Sequence, residues 1–279
     1  MEKGEENEMK QAKIKDWREP FRHGEIVYDE LDGIIICGDC REILPKFPEK
    51  SVDLCLTDPP YGANREYAND NLDNAKHVEF INQQVSAIQH IISKNGNVVY
   101  IVGIKYQAPF FVQLVSAFNY GWQYVLYKSN GMMNGKASFA KWDSILWVYN
   151  GNVPIHNRQP NGIFSGDVWP CPITPTKNDF GHPTPKDILP VKGCVTLFSN
   201  PNQIILDPFL GSGTTAVAAV QLGRRFIGIE ISKEYCELAV QRIHHAKLSQ
   251  RFDVGSFSKD KKGKLKAAFT RLQKKRLNQ

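Results

Sequence analysis

Short apolar runs rich in β-branched residues recur at 34–37, 52–56, 97–102, 123–127, 144–149, 203–206 and 225–229. Several lack polar alternation. Ile34-Ile35-Ile36 and Val98-Val99-Tyr100-Ile101-Val102 are apolar throughout, as strands covered on both faces must be. Between the runs, helical spacing marks 78–92, 109–118, 185–198, 214–222 and 233–247. Thr184-Pro185-Lys186-Asp187 reads as a helix start with Pro at the first helical position. Ser232 reads as an N-cap, with Glu234 in the first turn behind it. Strands alternating with helices predict an α/β fold: a doubly wound, mainly parallel sheet with helices on both faces.

One stretch breaks the rhythm. Residues 151–181 are rich in Asn, Pro and Gly, carry few periodic apolar positions, and read as a loop-dominated insertion. The expected organisation is a charged N-terminal extension at 1–25, one domain in two halves at 26–150 and 182–247, the insertion at 151–181, and a tail at 248–279. A chain of 279 residues, 42% hydrophobic, suffices for one large domain with a sizeable core. The first twenty residues are charged and have no apolar core, so no signal peptide is expected. The longest apolar runs are far too short to span a bilayer. The six cysteines show no framework spacing, which fits a reducing compartment, so the expected location is the cytoplasm. From Lys247 onward eleven Lys/Arg face Asp253 and Asp260, a local charge of +9 that leaves the rest of the chain at −3. A basic tail on an acidic body suits a polyanionic partner; a solvated, solubilising tail reads equally well.

The chemistry gathers at four strand ends. Thr57-Asp58-Pro59-Pro60-Tyr61-Gly62 directly follows the apolar run Val52-Asp53-Leu54-Cys55-Leu56. It places a carboxylate, a rigid backbone and an aromatic face at the carboxyl edge of the sheet, where open α/β sheets bind ligands. An exocyclic amino nitrogen is a poor nucleophile because its lone pair is delocalised into the ring. Hydrogen bonds accepted from both its hydrogens, by Asp58 and a carbonyl of the Pro segment, favour a pyramidal nitrogen with that pair free. The fixed φ of Pro59 and Pro60 holds the acceptors in place, and Tyr61 offers a stacking face for an extruded base.

Asp207-Pro208-Phe209-Leu210-Gly211-Ser212-Gly213-Thr214 joins a second strand to a small-residue helix. Glycines there admit a ligand close to the backbone, and the helix N-terminus favours a carboxylate or phosphate. No Gly-Lys-Ser/Thr follows, so it is not a P-loop. A looser G-x-G-x-x-A reading through Ala216, with Glu230 nineteen residues after Gly211, leaves a nicotinamide dinucleotide as a competitor. Glu230 ends a third strand and suits ribose hydroxyls. Asp39, in Gly38-Asp39-Cys40 after the first strand, could accept from an adenine amino group. The C-x-x-C of Cys37 and Cys40 lacks the second ligand pair that a structural zinc requires, so no metal is expected.

Taken in order, GDC, TDPPYG, HPTPKD, DPFLGSGTT and GIE resemble the DNA amino-methyltransferases of the β group, whose catalytic motif precedes the cofactor loop. The resemblance spans roughly residues 34–243. It implies the methyltransferase form of the doubly wound sheet and S-adenosylmethionine as cofactor. Double-stranded DNA is the implied partner, and a companion restriction endonuclease fits the same reading. It further implies Asp58, Pro59, Pro60 and Tyr61 as the catalytic tetrad. Asp207, Phe209, Gly211, Ser212, Gly213 and Thr214 would then hold the methionine moiety, Glu230 the ribose and Asp39 the adenine. Lys186, in the HPxxK-like His182-Pro183-Thr184-Pro185-Lys186, would neutralise the cofactor carboxylate, although Asp187 follows where the family often has proline. Residues 151–181 fall at the family's target-recognition region, with Asn157, Arg158 and Gln159 suited to base edges and phosphates. Asn64, Arg65 and Tyr67 belong to a polar loop expected to close over the flipped base. Asp at the first tetrad position favours adenine N6 over cytosine N4. On this reading a side chain at Gly213 would block the methionine moiety.

Rival readings are an RNA or protein-amide methylase, an NAD-dependent oxidoreductase, and a DNA-binding protein that has lost catalysis. The dehydrogenases have no use for the Asp-Pro-Pro-Tyr sequence, amide methylases place their glycine loop first, and an intact Asp58 speaks against lost activity.

Overall fold

The computed structural model describes residues 16–60, 74–128, 133–134, 139–152, 165–171 and 188–254. Its strands are β1 (Glu25–Glu30), β2 (Gly33–Cys37), β3 (Val52–Thr57), β4 (Ile92–Gly103), β5 (Asn119–Tyr127), β6 (Met133–Asn134), β7 (Phe139–Ala140), β8 (Trp142–Tyr149), β9 (Val168–Pro170), β10 (Ile204–Asp207) and β11 (Arg225–Glu230). The helices are α1 (Cys40–Ile43), α2 (Asn74–Ile91), α3 (Gln107–Ala117), α4 (Ile188–Phe198), α5 (Thr214–Gln221) and α6 (Lys233–Val254).

Among the described residues, nine strands form one sheet in the order β1-β2-β11-β10-β3-β4-β8-β5-β9, and β6 pairs with β7. The run from β2 to β4 is parallel throughout. β1, at one edge, and β8, inside the far half, run antiparallel to their neighbours. The unalternating runs are buried as their composition requires: Ile34, Ile35 and Ile36 are each 0% exposed. Successive residues feed opposite cores. Ile35, Leu54, Leu56 and Ile205 pack with α4, α5 and α6, whereas Ile34, Ile36, Cys55 and Leu206 pack with α1, α2 and α3.

From β10 the chain crosses to β11 through α5, and from β3 it crosses to β4 through α2 on the opposite face. The winding direction therefore reverses between β10 and β3. At such a reversal the connections diverge and leave a crevice above the carboxyl ends of the strands.

The expected helices and strands are all present, with shifted ends. α2 stops at Ile91 and β4 begins at Ile92, five residues before the expected strand start. α6 extends to Val254, beyond the expected end. The helix start at Thr184-Pro185 lies outside the described residues. Five of these elements have no counterpart in the expectation, the short paired strands β6 and β7 among them. Strand β1 buries only Tyr28 and closes the edge beside β2. Short helix α1 follows Asp39. Within 151–181, expected as loop, β9 adds a ninth strand beside β5 with Trp169 0% exposed. Part of the expected N-terminal extension also packs on the domain: Phe21 is buried edge-on to Phe47 at 5.1 Å, and Arg225 lies 5.4 Å from the Trp17 ring. No helix among the described residues is long and apolar enough to cross a membrane.

Candidate active site

Four neighbouring parallel strands, β2, β11, β10 and β3, end at one edge, and each carries one of the sequence motifs. Register keeps the ends level, with Glu230 opposite Cys37 and Asp207 opposite Gly228. Gly38 N–H donates to the Glu230 carbonyl at 2.9 Å, tying the first end to the second. Thr57 Oγ1 donates to Asp207 Oδ1 at 2.7 Å, across the winding reversal. That buried bond joins residues 150 positions apart, so the Asp58 segment and the glycine loop share one rigid frame. Asp207 Oδ1 also accepts from Phe209 N–H at 3.1 Å, which starts the glycine turn. Its carboxylate thus organises the loop from below. Asp58 and Pro60 are half-buried and Pro59 is buried immediately after β3. Phe209 packs beside Phe80 of α2, ring centres 5.8 Å apart.

Glu230 is held by two backbone donors: Gly211 N–H to Oε2 at 2.7 Å and Ser232 N–H to Oε1 at 2.9 Å. Burial raises its pKa; the backbone hydrogen bonds oppose this, and the nearby Asp207 charge adds to the rise. Ser232 caps α6 as expected, its Oγ accepting from Tyr235 N–H at 3.3 Å. Asp39 caps α1 through Arg41 N–H at 2.9 Å, and the Arg41 guanidinium grips the same carboxylate and lowers its pKa.

The two loop glycines do different work. Gly211 has φ +52°, and a Cβ built there meets nothing within 4 Å among the described residues. This is the open flank where a ligand can approach the backbone. Gly213 has φ +85°, and its Cβ would lie 2.7 Å from Ala239 Cβ and 3.0 Å from Ala239 Cα. A side chain at Gly213 collides with α6, which corrects the expectation that it would block the ligand. Gly213 is required because helices α5 and α6 cross closely there.

Arg242, which the sequence reading missed, donates from Nη1 to Ser212 O at 2.6 Å, Ser212 Oγ at 2.6 Å and Thr214 Oγ1 at 3.3 Å. The available signal was an arginine at the i+3 position from Ala239 on a helix stripe that also buries Cys236, Ile243 and Ala246. Cys37 and Cys40 pack into opposite faces of the sheet, Cys40 donating to Gln84 Oε1. Tyr61, Asn64, Arg65, Tyr67, Asn157, Arg158, Gln159 and Lys186 lie outside the described residues.

The chemistry of this edge fits S-adenosylmethionine. The half-buried Glu230 carboxylate suits paired hydroxyls, an open glycine flank admits the chain, and a cation with a helix N-terminus suits a carboxylate. Residues 52–241 match the family described as DNA methylase, N6_N4_Mtase. DNA adenine methyltransferase YhdJ of Escherichia coli is 28% identical over 265 residues, covering 83% of this chain and 89% of that protein. Type II methyltransferase M.HpaI of Haemophilus parainfluenzae is 28% identical over 237 residues, covering 76% and 74%. Among solved structures, the M1.HpyAVI–SAM complex superposes with TM-score 0.59 at 26% identity, covering 75% of this chain and 98% of that one. The cytosine-N4-specific PvuII DNA methyltransferase superposes with TM-score 0.69 at 17% identity, covering 78% and 89%, a likeness of fold. The chain belongs to the N6/N4 DNA methylase family and is an S-adenosylmethionine-dependent DNA methyltransferase.

Proposed function

We propose that this chain methylates the N6 amino group of adenine within a specific site in double-stranded DNA. The observation that carries this reading is Asp58, placed after β3 in a frame that Thr57 and Asp207 lock to the glycine loop. S-adenosylmethionine supplies an electrophilic methyl group. The chain supplies acceptors: the Asp58 carboxylate and a carbonyl of the Pro59-Pro60 segment draw the two amino hydrogens. The nitrogen lone pair then turns out of the ring plane. Tyr61 stacks on the extruded base. Gly211, Ser212 and Thr214 receive the amino-acid end, Glu230 the ribose and Asp39 the adenine, with Lys186 beside the cofactor carboxylate. Residues 151–181, through Asn157, Arg158 and Gln159, read the target, and the loop bearing Asn64, Arg65 and Tyr67 closes on the base. The likeness to YhdJ supports adenine, as does a charged acceptor at the first tetrad position. A companion restriction endonuclease is part of this reading, as is a cytoplasmic setting.

Mass spectrometry of nucleosides from DNA treated with the enzyme and methyl-labelled cofactor tests it. Label on N6-methyladenine is expected; label on N4-methylcytosine overturns the choice of base.

The pH response follows from Glu230. Its pKa is raised in the free protein, and hydroxyl donors from a ribose favour its charged form. Binding therefore lowers that pKa. Affinity for S-adenosylmethionine is expected to be full above the raised pKa and to fall as pH drops through it, beginning above the ordinary carboxylate range. Calorimetry over a pH series descending from neutrality into the carboxylate range should show a decline that Glu230→Gln, weaker throughout, does not share.

The tail at 255–279 adds charge without readout. Its removal is expected to weaken DNA binding and flatten the salt dependence, because fewer counterions are released per complex. The set of methylated sites stays the same; a changed set would place the tail in target recognition.

A further inference from the structure

Arg242 sits near the middle of α6, the last described helix, beside the stripe that packs against the sheet. A methionine would fill that stripe without burying a charge. Every acceptor Arg242 reaches among the described residues is neutral: one carbonyl and two hydroxyls, all from the glycine loop. All three bonds use Nη1, so Nε and Nη2 have no bonded acceptor among the described residues. No carboxylate pairs with it among the described residues, and burial alone lowers its pKa. Arg242 is half-buried, and a cation partly withdrawn from water without a counter-ion is costly unless an anion arrives to offset it. The same loop is the start of α5, whose N-cap Gly213 provides no side-chain cap. Its first turn therefore adds the positive end of a helix dipole.

We propose that Arg242 is a positioning residue for the amino-acid end of S-adenosylmethionine. It clamps Ser212 and Thr214 in the conformation that receives a carboxylate, and it stores the positive charge that this carboxylate neutralises. The proposal rests on the reading of the glycine loop as the cofactor loop. It predicts which part of the cofactor Arg242 serves: the amino-acid end, and not the adenosine, which Asp39 and Glu230 would hold.

Two probes separate these ends. S-adenosylhomocysteine carries the amino-acid carboxylate, and 5′-methylthioadenosine shares its adenosine and thioether but lacks that end. Calorimetry on the full chain at pH 7.5 should find Arg242→Met weakened about 30-fold or more for S-adenosylhomocysteine, the worth of bonds to a charged group. Binding of 5′-methylthioadenosine should change by less than about 3-fold, because Arg242 bonds neither Asp39 nor Glu230, the residues assigned to the adenosine. Arg242→Lys, which keeps the charge and reaches one loop oxygen, should recover most of the loss. Arg242→Gln, uncharged but still a donor to the Ser212 carbonyl, should not; it also serves should the methionine variant fail to fold. Thermal unfolding monitored by circular dichroism accompanies each variant. Wild-type affinity for S-adenosylhomocysteine in a folded Arg242→Gln protein overturns the proposal. Equal loss of both probes does so too, since that is the mark of a structural staple. Gly211→Asn controls for the loop itself: if it binds S-adenosylhomocysteine as wild type does, the cofactor-loop reading fails, whatever Arg242 does.

Discussion

Asp58→Ala is expected to abolish methyl transfer while S-adenosylmethionine still binds. The substitution removes the charged acceptor that draws one amino hydrogen of the target base. A positioned acid–base group of this kind contributes roughly 10²–10⁴-fold, so single-turnover rates should fall by about 10³-fold. Asp58→Asn keeps a neutral acceptor oxygen, and a neutral bond is about half as strong as a charge-assisted one. Its rate should therefore lie between wild type and alanine. Cofactor affinity should change little in either variant, because Asp58 follows β3 whereas the glycine loop follows β10 and Glu230 ends β11. Single-turnover kinetics with labelled cofactor, paired with calorimetry, reads both quantities. An alanine variant that keeps most of its activity would falsify the proposed role of the carboxylate.

The two loop glycines should fail in opposite ways. Gly213→Ala places a Cβ 3.0 Å from the Ala239 Cα and forces a non-glycine residue to φ +85°. The left-handed conformation alone costs about 1–2 kcal/mol. The contact is with helix backbone, which cannot swing aside, so a total of about 3 kcal/mol or more is expected. For a domain of this size that lowers the melting temperature by roughly 10 °C. Gly211 has equally positive φ in kind but open space beside it. Asparagine tolerates that conformation, so Gly211→Asn should stay folded and lose cofactor affinity. Thermal melts and calorimetry on the pair distinguish the two. Should Gly213→Ala melt like wild type, the close crossing of α5 and α6 is wrong.

Much of this protein was legible because local pattern carries it. Unalternating runs such as Ile34-Ile35-Ile36 can only be strands covered on both faces, and Ser232 caps α6 because its hydroxyl meets a donor three residues on. The order of the strand-end motifs was equally a matter of sequence. What needed the tertiary structure were properties set by a distant neighbour. β1 is a strand because β2 lies beside it, not because its own sequence buries a face; only Tyr28 of its six residues is buried. β9, inside a polar stretch, is held by β5 and by Trp169. The sequence showed two loop glycines alike. Only the placement of Ala239, twenty-six residues downstream of Gly213, made one a helix-packing glycine and left the other facing open space. Arg242 was invisible for the same reason, since its acceptors lie about a helix and a strand away in the chain. Periodicity reports which face of a segment is apolar. It does not report what that face meets, and at this site the meeting partners decide which residues bind and which support.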